Sequence, residues 1–205
     1  MKRTFLIISL TFLTITGVKS QEKTQFGVKG GMNFTNMTTD FGINKSNKTG
    51  FHVGVMAEIP IGTKFSLQPE ILYSTKGVQW EEFPFTTNDV EPTNSSLIQL
   101  EYNLDYILVP ILVKAYLFES FSFDIGSSFN FLVNSKRSYS YSNYNSTKPD
   151  VGKDFEFCGL VGFSYKIKST FITNVRYSHG FTNALKSDYK DSKNYGFSIG
   201  IDYMF

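Results

Sequence analysis

The sequence is poor in the residues that usually carry chemistry. Its 205 residues include one cysteine, one tryptophan and two histidines. A lone Cys158 allows no internal disulfide and reads as a small packed side chain. His52 and His179, without CxxC or HExxH spacing, give no metal site. Gly27, Gly30 and Gly31 lie within an alternating stretch rather than at the start of a helix, so they form no phosphate cradle. No sign of charge dominates: 20 Lys and Arg stand against 18 Asp and Glu, interleaved, which leaves no case for nucleic acid. Beyond Val18 no run is long and apolar enough for a transmembrane helix, so any membrane span must be made of strands.

What is present starts with Lys2 and Arg3, an apolar stretch from Phe5 to Val18, and then Lys19, Ser20 and Gln21. That order predicts a secretory signal over 1–20, cut between Ser20 and Gln21, with Val18 and Ser20 as specificity residues. The run is shorter than the ~20 residues a membrane anchor needs. No cysteine stands at the cut to accept a lipid, and 21–205 has the length of one domain.

Aromatics are abundant, with 21 Phe and 12 Tyr beside 16 Gly in a chain only 41% hydrophobic. That mixture suits strands whose two faces differ. Side chains alternate between faces along a strand. In the last segment Tyr195, Phe197, Ile199, Ile201, Tyr203 and Phe205 share one face, while Asn194, Gly196, Ser198, Gly200 and Asp202 share the other. Aromatics at the ends and aliphatics between them describe a lipid-facing band with interfacial girdles. The same parity recurs over Phe26 to Phe34, Phe51 to Ile59, Phe65 to Tyr73, Phe121 to Phe131, Phe155 to Ile167 and Phe171 to Tyr177.

The segment from Ile98 to Leu117 breaks the rule. Its upper half suggests Ile98, Leu100, Tyr102 and Leu104 outward against Gln99, Glu101, Asn103 and Asp105, yet Lys114 then falls on the outer parity. A bulge near Pro110 is expected to reset it, leaving Ile111, Val113, Ala115 and Leu117 to lipid. Short links (Pro60 to Lys64, Phe118 to Ser120, around Lys168) alternate with long polar ones (Thr35 to Thr49, Thr75 to Leu97, Asn134 to Asp154, Thr182 to Lys193). This rhythm predicts an all-β, eight-stranded antiparallel up-and-down transmembrane barrel with short periplasmic turns and long extracellular loops, in the outer membrane of a Gram-negative bacterium. A soluble barrel of the lipocalin kind would reverse the faces, apolar inward and polar to water.

Lys29, Glu58, Glu70, Glu101, Asp105, Lys114, Asp124, Glu156, Lys166, Arg176 and Asp202 are expected inside, paired with one another. Eight strands leave a lumen just filled by side chains, so no solute-conducting pore is expected. Ser178 and His179 invite comparison with surface acyl hydrolases, but neighbours on a strand point to opposite faces. The tract Ser138 to Ser146 (SYSYSNYNS) has a composition suited to recognition, or to a solvated loop.

The runs FGVKGGMNF (Phe26 to Phe34), FSLQPEILYSTKG (Phe65 to Gly77), LDYILVPILVKAY (Leu104 to Tyr116) and FSIGIDYMF (Phe197 to Phe205) resemble the PorT-like outer-membrane β-barrel family. The resemblance covers most of 21–205 and is structural rather than catalytic. It implies an eight-stranded outer-membrane barrel, and its founding member is associated with type IX secretion machinery. The ending also resembles the signal read by the barrel-insertion machinery, with Phe205, Tyr203 and Ile201 matching. The function expected is therefore structural or interactive, as an accessory of a secretion or envelope complex. The alternatives are a surface ligand-binding barrel working through its loops and a lipid-modifying enzyme. Expected partners are outer-membrane lipid, the insertion machinery, and envelope or secretion-system proteins. No catalytic residue, cofactor or metal is assigned.

Overall fold

The computed structural model describes residues 23–38, 44–82, 98–141, 144–186 and 191–205. The signal segment expected over 1–20 lies outside them, as do parts of the upper links. Nine strands follow in chain order: β1 (Gln25–Thr38), β2 (Asn44–Pro60), β3 (Phe65–Glu82), β4 (Ile98–Phe118), β5 (Phe121–Tyr141), β6 (Tyr144–Pro149), β7 (Phe155–Lys166), β8 (Phe171–Gly180) and β9 (Lys193–Met204). Every pairing is antiparallel, and all but two join chain neighbours. The exceptions are β1 with β9 and β5 with β7, while β6 pairs with β5 alone. Since β4 also pairs with β5, eight strands close a ring in which backbone donors and acceptors find partners. β6 stands outside that ring as the return arm of a hairpin at the upper end.

The barrel is inside out by the standards of a soluble protein. Large apolar side chains such as Val53, Ile71, Ile125 and Ile201 are half exposed or more, while Lys29, Glu70, Asp124, Glu156 and Asp202 are buried. Apolar residues on the outer face of all eight ring strands form the lipid-facing band, and the lipocalin arrangement is thereby excluded. The short turns, 61–64, 119–120 and 167–170, lie at the end where β1 begins and β9 finishes. By the asymmetry of outer-membrane barrels that end is periplasmic.

The break in alternation was expected on β4, and the structure puts it on β5. In β4 the even residues face inward throughout: Tyr102, Leu104 and Tyr106 are as buried as Leu112 and Lys114. Pro110 is inward as well and resets nothing. Leu100, Tyr102 and Leu104 therefore do not face lipid. Glu101 and Asp105 do not face the lumen: Glu101 meets Lys48, and Asp105 accepts a bond from exposed Asn134 at 3.1 Å. The true irregularity is at Val133, where Asp105 pairs with Asn134 but Tyr106 with Leu132, leaving Val133 extra. Below it Phe129 and Phe131 point out; above it Ser135 is buried.

The reason is an apolar plug in the upper lumen. Met37, Val78, Trp80, Tyr102, Leu104, Tyr106, Ala184 and Leu185 pack together, joined by Leu132 and Val151. Trp80 and Tyr102 meet edge to face with centroids 5.0 Å apart. Ala184 and Leu185 belong to the segment after β8, which folds into the mouth. It is tied to the segment after β6 by a Gly152–Leu185 bridge and by Lys186 N–H donating to Val151 O at 2.9 Å. The long links are also shorter than expected, because β1, β2, β3 and β5 continue as strands into Thr38, Asn44, Glu82 and Tyr141.

Candidate functional site

The lumen is a stack of polar layers, each built from facing strands. Lowest, Glu58 of β2 accepts a hydrogen bond from Tyr116 and lies 3.6 Å from the Lys114 ammonium, both on β4. Asp124 of β5 accepts bonds from Ser122 (2.7 Å) on its own strand and from Ser164 on the adjacent β7. Lys166 lies over the Tyr116 ring, 5.7 Å from its centroid.

The middle layer is the tightest. Arg176 of β8 donates through both terminal nitrogens to the Glu70 carboxylate, each at 3.0 Å. Lys29 of β1 bridges Glu70 (3.3 Å) and Asp202 (3.2 Å), and Asn174 donates to Asp202 at 3.0 Å. Buried charges are tolerated when paired and hydrogen-bonded in this way. His52 is held beside them by a 2.8 Å bond between its Nδ1 and Asn33.

Above it, Glu156 of β7 accepts from Lys76 (3.2 Å), Asn130 (2.8 Å) and Asn194 (2.8 Å). Asn130 also donates to the Cys158 sulfur at 3.1 Å, so Cys158 sits packed and bonded inside the wall. The Lys76 ammonium faces the Tyr106 ring at 5.5 Å, where the polar stack meets the plug. Sequence reasoning missed Lys76 because 75–97 read as a link. The even parity of β3 carried past Tyr73 through Ser74 to Lys76 would have found it.

Of the charges expected inside, Lys29, Glu58, Glu70, Lys114, Asp124, Glu156, Arg176 and Asp202 are buried there. Lys166 reaches the lower mouth, and Glu101 and Asp105 are on the outer face. A gap of about 40 Å³ near His52, Arg176 and Cys158 has room for a water molecule. A vestibule of about 790 Å³ opens at the periplasmic mouth, lined by Glu58, Lys64, Tyr116 and Lys166 among others.

Ser178 and His179 are kept apart. Ser178 borders the interior gap, whereas His179 stacks on Tyr177 and meets Phe181 edge to face on the outer wall. Among the described residues no group of His, Cys, Asp and Glu gathers as metal ligands. The SYSYSNYNS tract is a hairpin rather than a loose loop: Tyr139 pairs with Ser146 and Tyr141 with Tyr144, with the turn at 142–143 outside the described residues.

The family model described as outer membrane protein beta-barrel domain matches residues 19–186. Among solved structures the chain is similar to Ail, the attachment invasion locus protein of Yersinia pestis. The identity is 12% over 90% of this chain and 100% of that one, with a TM-score of 0.54. It is also similar to Neisserial surface protein A (13% identity, 90% and 100% covered, TM-score 0.48). The outer membrane protease OmpT from Escherichia coli matches at 9% identity, with 89% and 96% covered and a TM-score of 0.44. At this identity the likeness to Ail shows the fold alone. No curated protein matches.

Proposed function

This chain belongs to the outer membrane protein β-barrel domain family, and from that premise we propose a barrel of structural or interaction type, an accessory of a secretion or envelope complex. It sits in the outer membrane of a Gram-negative bacterium. The observation that carries the reading is the closed lumen: three paired polar layers under an apolar plug leave nothing to conduct, so the work falls to the surfaces. The PorT-like subgroup, the signal over 1–20 and recognition of Phe205 by the insertion machinery belong to the same proposal. It includes no enzymatic activity, since His179 has no partner group in reach other than Tyr177, at 3.5 Å, among the described residues.

Two measurements test it. In planar bilayers the purified barrel should give no steady solute-sized conductance; an open channel at neutral pH would remove the closed-lumen premise. Crosslinking in intact outer membranes should then co-purify stable envelope proteins, and recovery of the barrel alone would count against the accessory role. A second reading, capture of an external ligand, is favoured by one observation: β5 and β6 form an ordered platform above the lipid band.

A further inference from the structure

The β5–β6 hairpin puts two cations side by side. Arg137 and Lys148 are direct cross-strand partners. Like charges placed directly opposite destabilise a strand pair. Among the described residues no carboxylate lies within ion-pair distance of either. On its other side Arg137 pairs with Tyr102, which is buried in the plug. Partners in register share a face, so the row Tyr102, Arg137, Lys148 looks over the barrel mouth and not toward lipid.

A cavity of about 130 Å³ opens at this row, bordered also by Leu185, Asp150 and Lys186. Asp150 takes a φ of 56°, a left-handed conformation unusual for a residue with a side chain, while its N–H donates to Ser135 O at 3.0 Å. The turned backbone delivers its carboxylate to Lys186, which also lies 3.7 Å from Asp154. Lys186 is thereby held in place as the third cation, and the two acids are used on it. Arg137 and Lys148 face the cavity with no carboxylate in ion-pair distance, while Asp150 at its border is turned to Lys186. A guanidinium fork and two ammonium groups border this cavity of about 130 Å³, and such donors are the ones that recognise tetrahedral oxyanions.

We propose that the extracellular mouth binds a sulfate or phosphate monoester group, carried by a solute from the medium rather than by the surrounding leaflet. The inference deepens the ligand-capture reading and rests on this end facing outward. Orientation is tested separately: S146C should react in intact cells with a membrane-impermeant maleimide, because native Cys158 is buried. Labelling only after cell breakage would overturn both the orientation and the site. With orientation established, calorimetry on the detergent-purified barrel at low salt should show saturable binding of inorganic sulfate and of a polysulfated disaccharide. The neutral disaccharide should not bind. Arg137→Ala and Lys148→Ala should each weaken binding about tenfold. Lys136→Ala, on the opposite face of β5, should leave it unchanged, and heat-modifiable gel mobility should show all three variants folded. Three results would overturn the site: no binding by the native barrel, equal loss from Lys136→Ala, or binding found only in bilayers containing phosphorylated glycolipid.

Discussion

Replacing Glu70 by Gln removes the negative centre of the middle layer. Its carboxylate takes two bonds from Arg176 at 3.0 Å, lies 3.3 Å from the Lys29 ammonium and accepts from Gln68 at 2.5 Å. Lys29 would keep Asp202 at 3.2 Å, so the loss falls on Arg176, whose side chain is only 7% exposed. Stranding a buried charge costs about 3–5 kcal/mol, and the amide oxygen can still accept one bond, so about 3 kcal/mol is expected. That is roughly a hundredfold shift in the folding equilibrium. Reversible urea unfolding in lipid vesicles would read it, with the single Trp80, buried in the plug, as fluorophore and gel mobility as second probe. Adding Arg176→Met removes the stranded charge, so the double variant should regain about 2 kcal/mol. A Glu70→Gln barrel within about 0.5 kcal/mol of the native one, or a double variant as weak as the two losses summed, would refute the reasoning.

Three further outcomes follow from particular contacts. A Cβ on Gly31 would overlap the Ile199 carbonyl oxygen and crowd the His52 ring, so Gly31→Ala should lower the heat-modifiable fraction; in Gly30→Ala, the nearest atom is 3.8 Å away and the yield should hold. The hydrogen bond with Asp150, then the charges of Asp150 and Asp154, hold Lys186 above its ordinary 10.5. A raised cation stabilises the fold fully below its ordinary pKa and loses that contribution as pH climbs through the raised value, so the tie between the segments after β6 and β8 should persist at neutral pH and fail only above 10.5. An isotope-labelled lysine NMR titration should show that late midpoint, and Asp150→Asn should bring it down; an unmoved midpoint would discard the assignment. Deleting Phe205, or Phe205→Asp, should lower the amount of protein in the outer membrane, because its exposed ring packs on Tyr203 and its N–H bonds Phe26 O at 2.9 Å. Asp202→Asn should loosen Lys29 yet insert normally, and unchanged fractionation of the Phe205 variants would place the insertion signal elsewhere.

Alternation made the barrel legible wherever its interior is polar. β1, β7, β8 and β9 show the expected faces residue by residue, and even Lys114 is inward as its neighbours require. The reading failed where the interior itself turns apolar. Leu100, Tyr102 and Leu104 look like a lipid face because lipid and plug select the same side chains, and parity carries no label for which apolar face is outside. Unbroken even parity from Leu100 to Lys114 was the available clue, and Pro110 distracted from it. The upper strand extensions were hidden differently: Ser138 to Ser146 alternates serine with tyrosine, and composition alone reads that as a loop. The cationic pair Arg137 and Lys148 was out of reach, since it depends on a hairpin register and on the extra residue at Val133.

The pairing of β1 with β9 also governs when the molecule can exist at all. Thr38 and Lys193, 155 positions apart in sequence, bond to each other, and the register runs from there down to Gly27 with Met204. A chain made from its N-terminus can zip hairpin after hairpin, yet each partial sheet keeps two bare margins of unpaired amides until the final strand arrives. Contacts this remote in sequence form slowly. A chain cut short before Lys193 should therefore give no smaller cylinder, only an open, adhesive ribbon whose fate depends on whatever shields its margins while it waits.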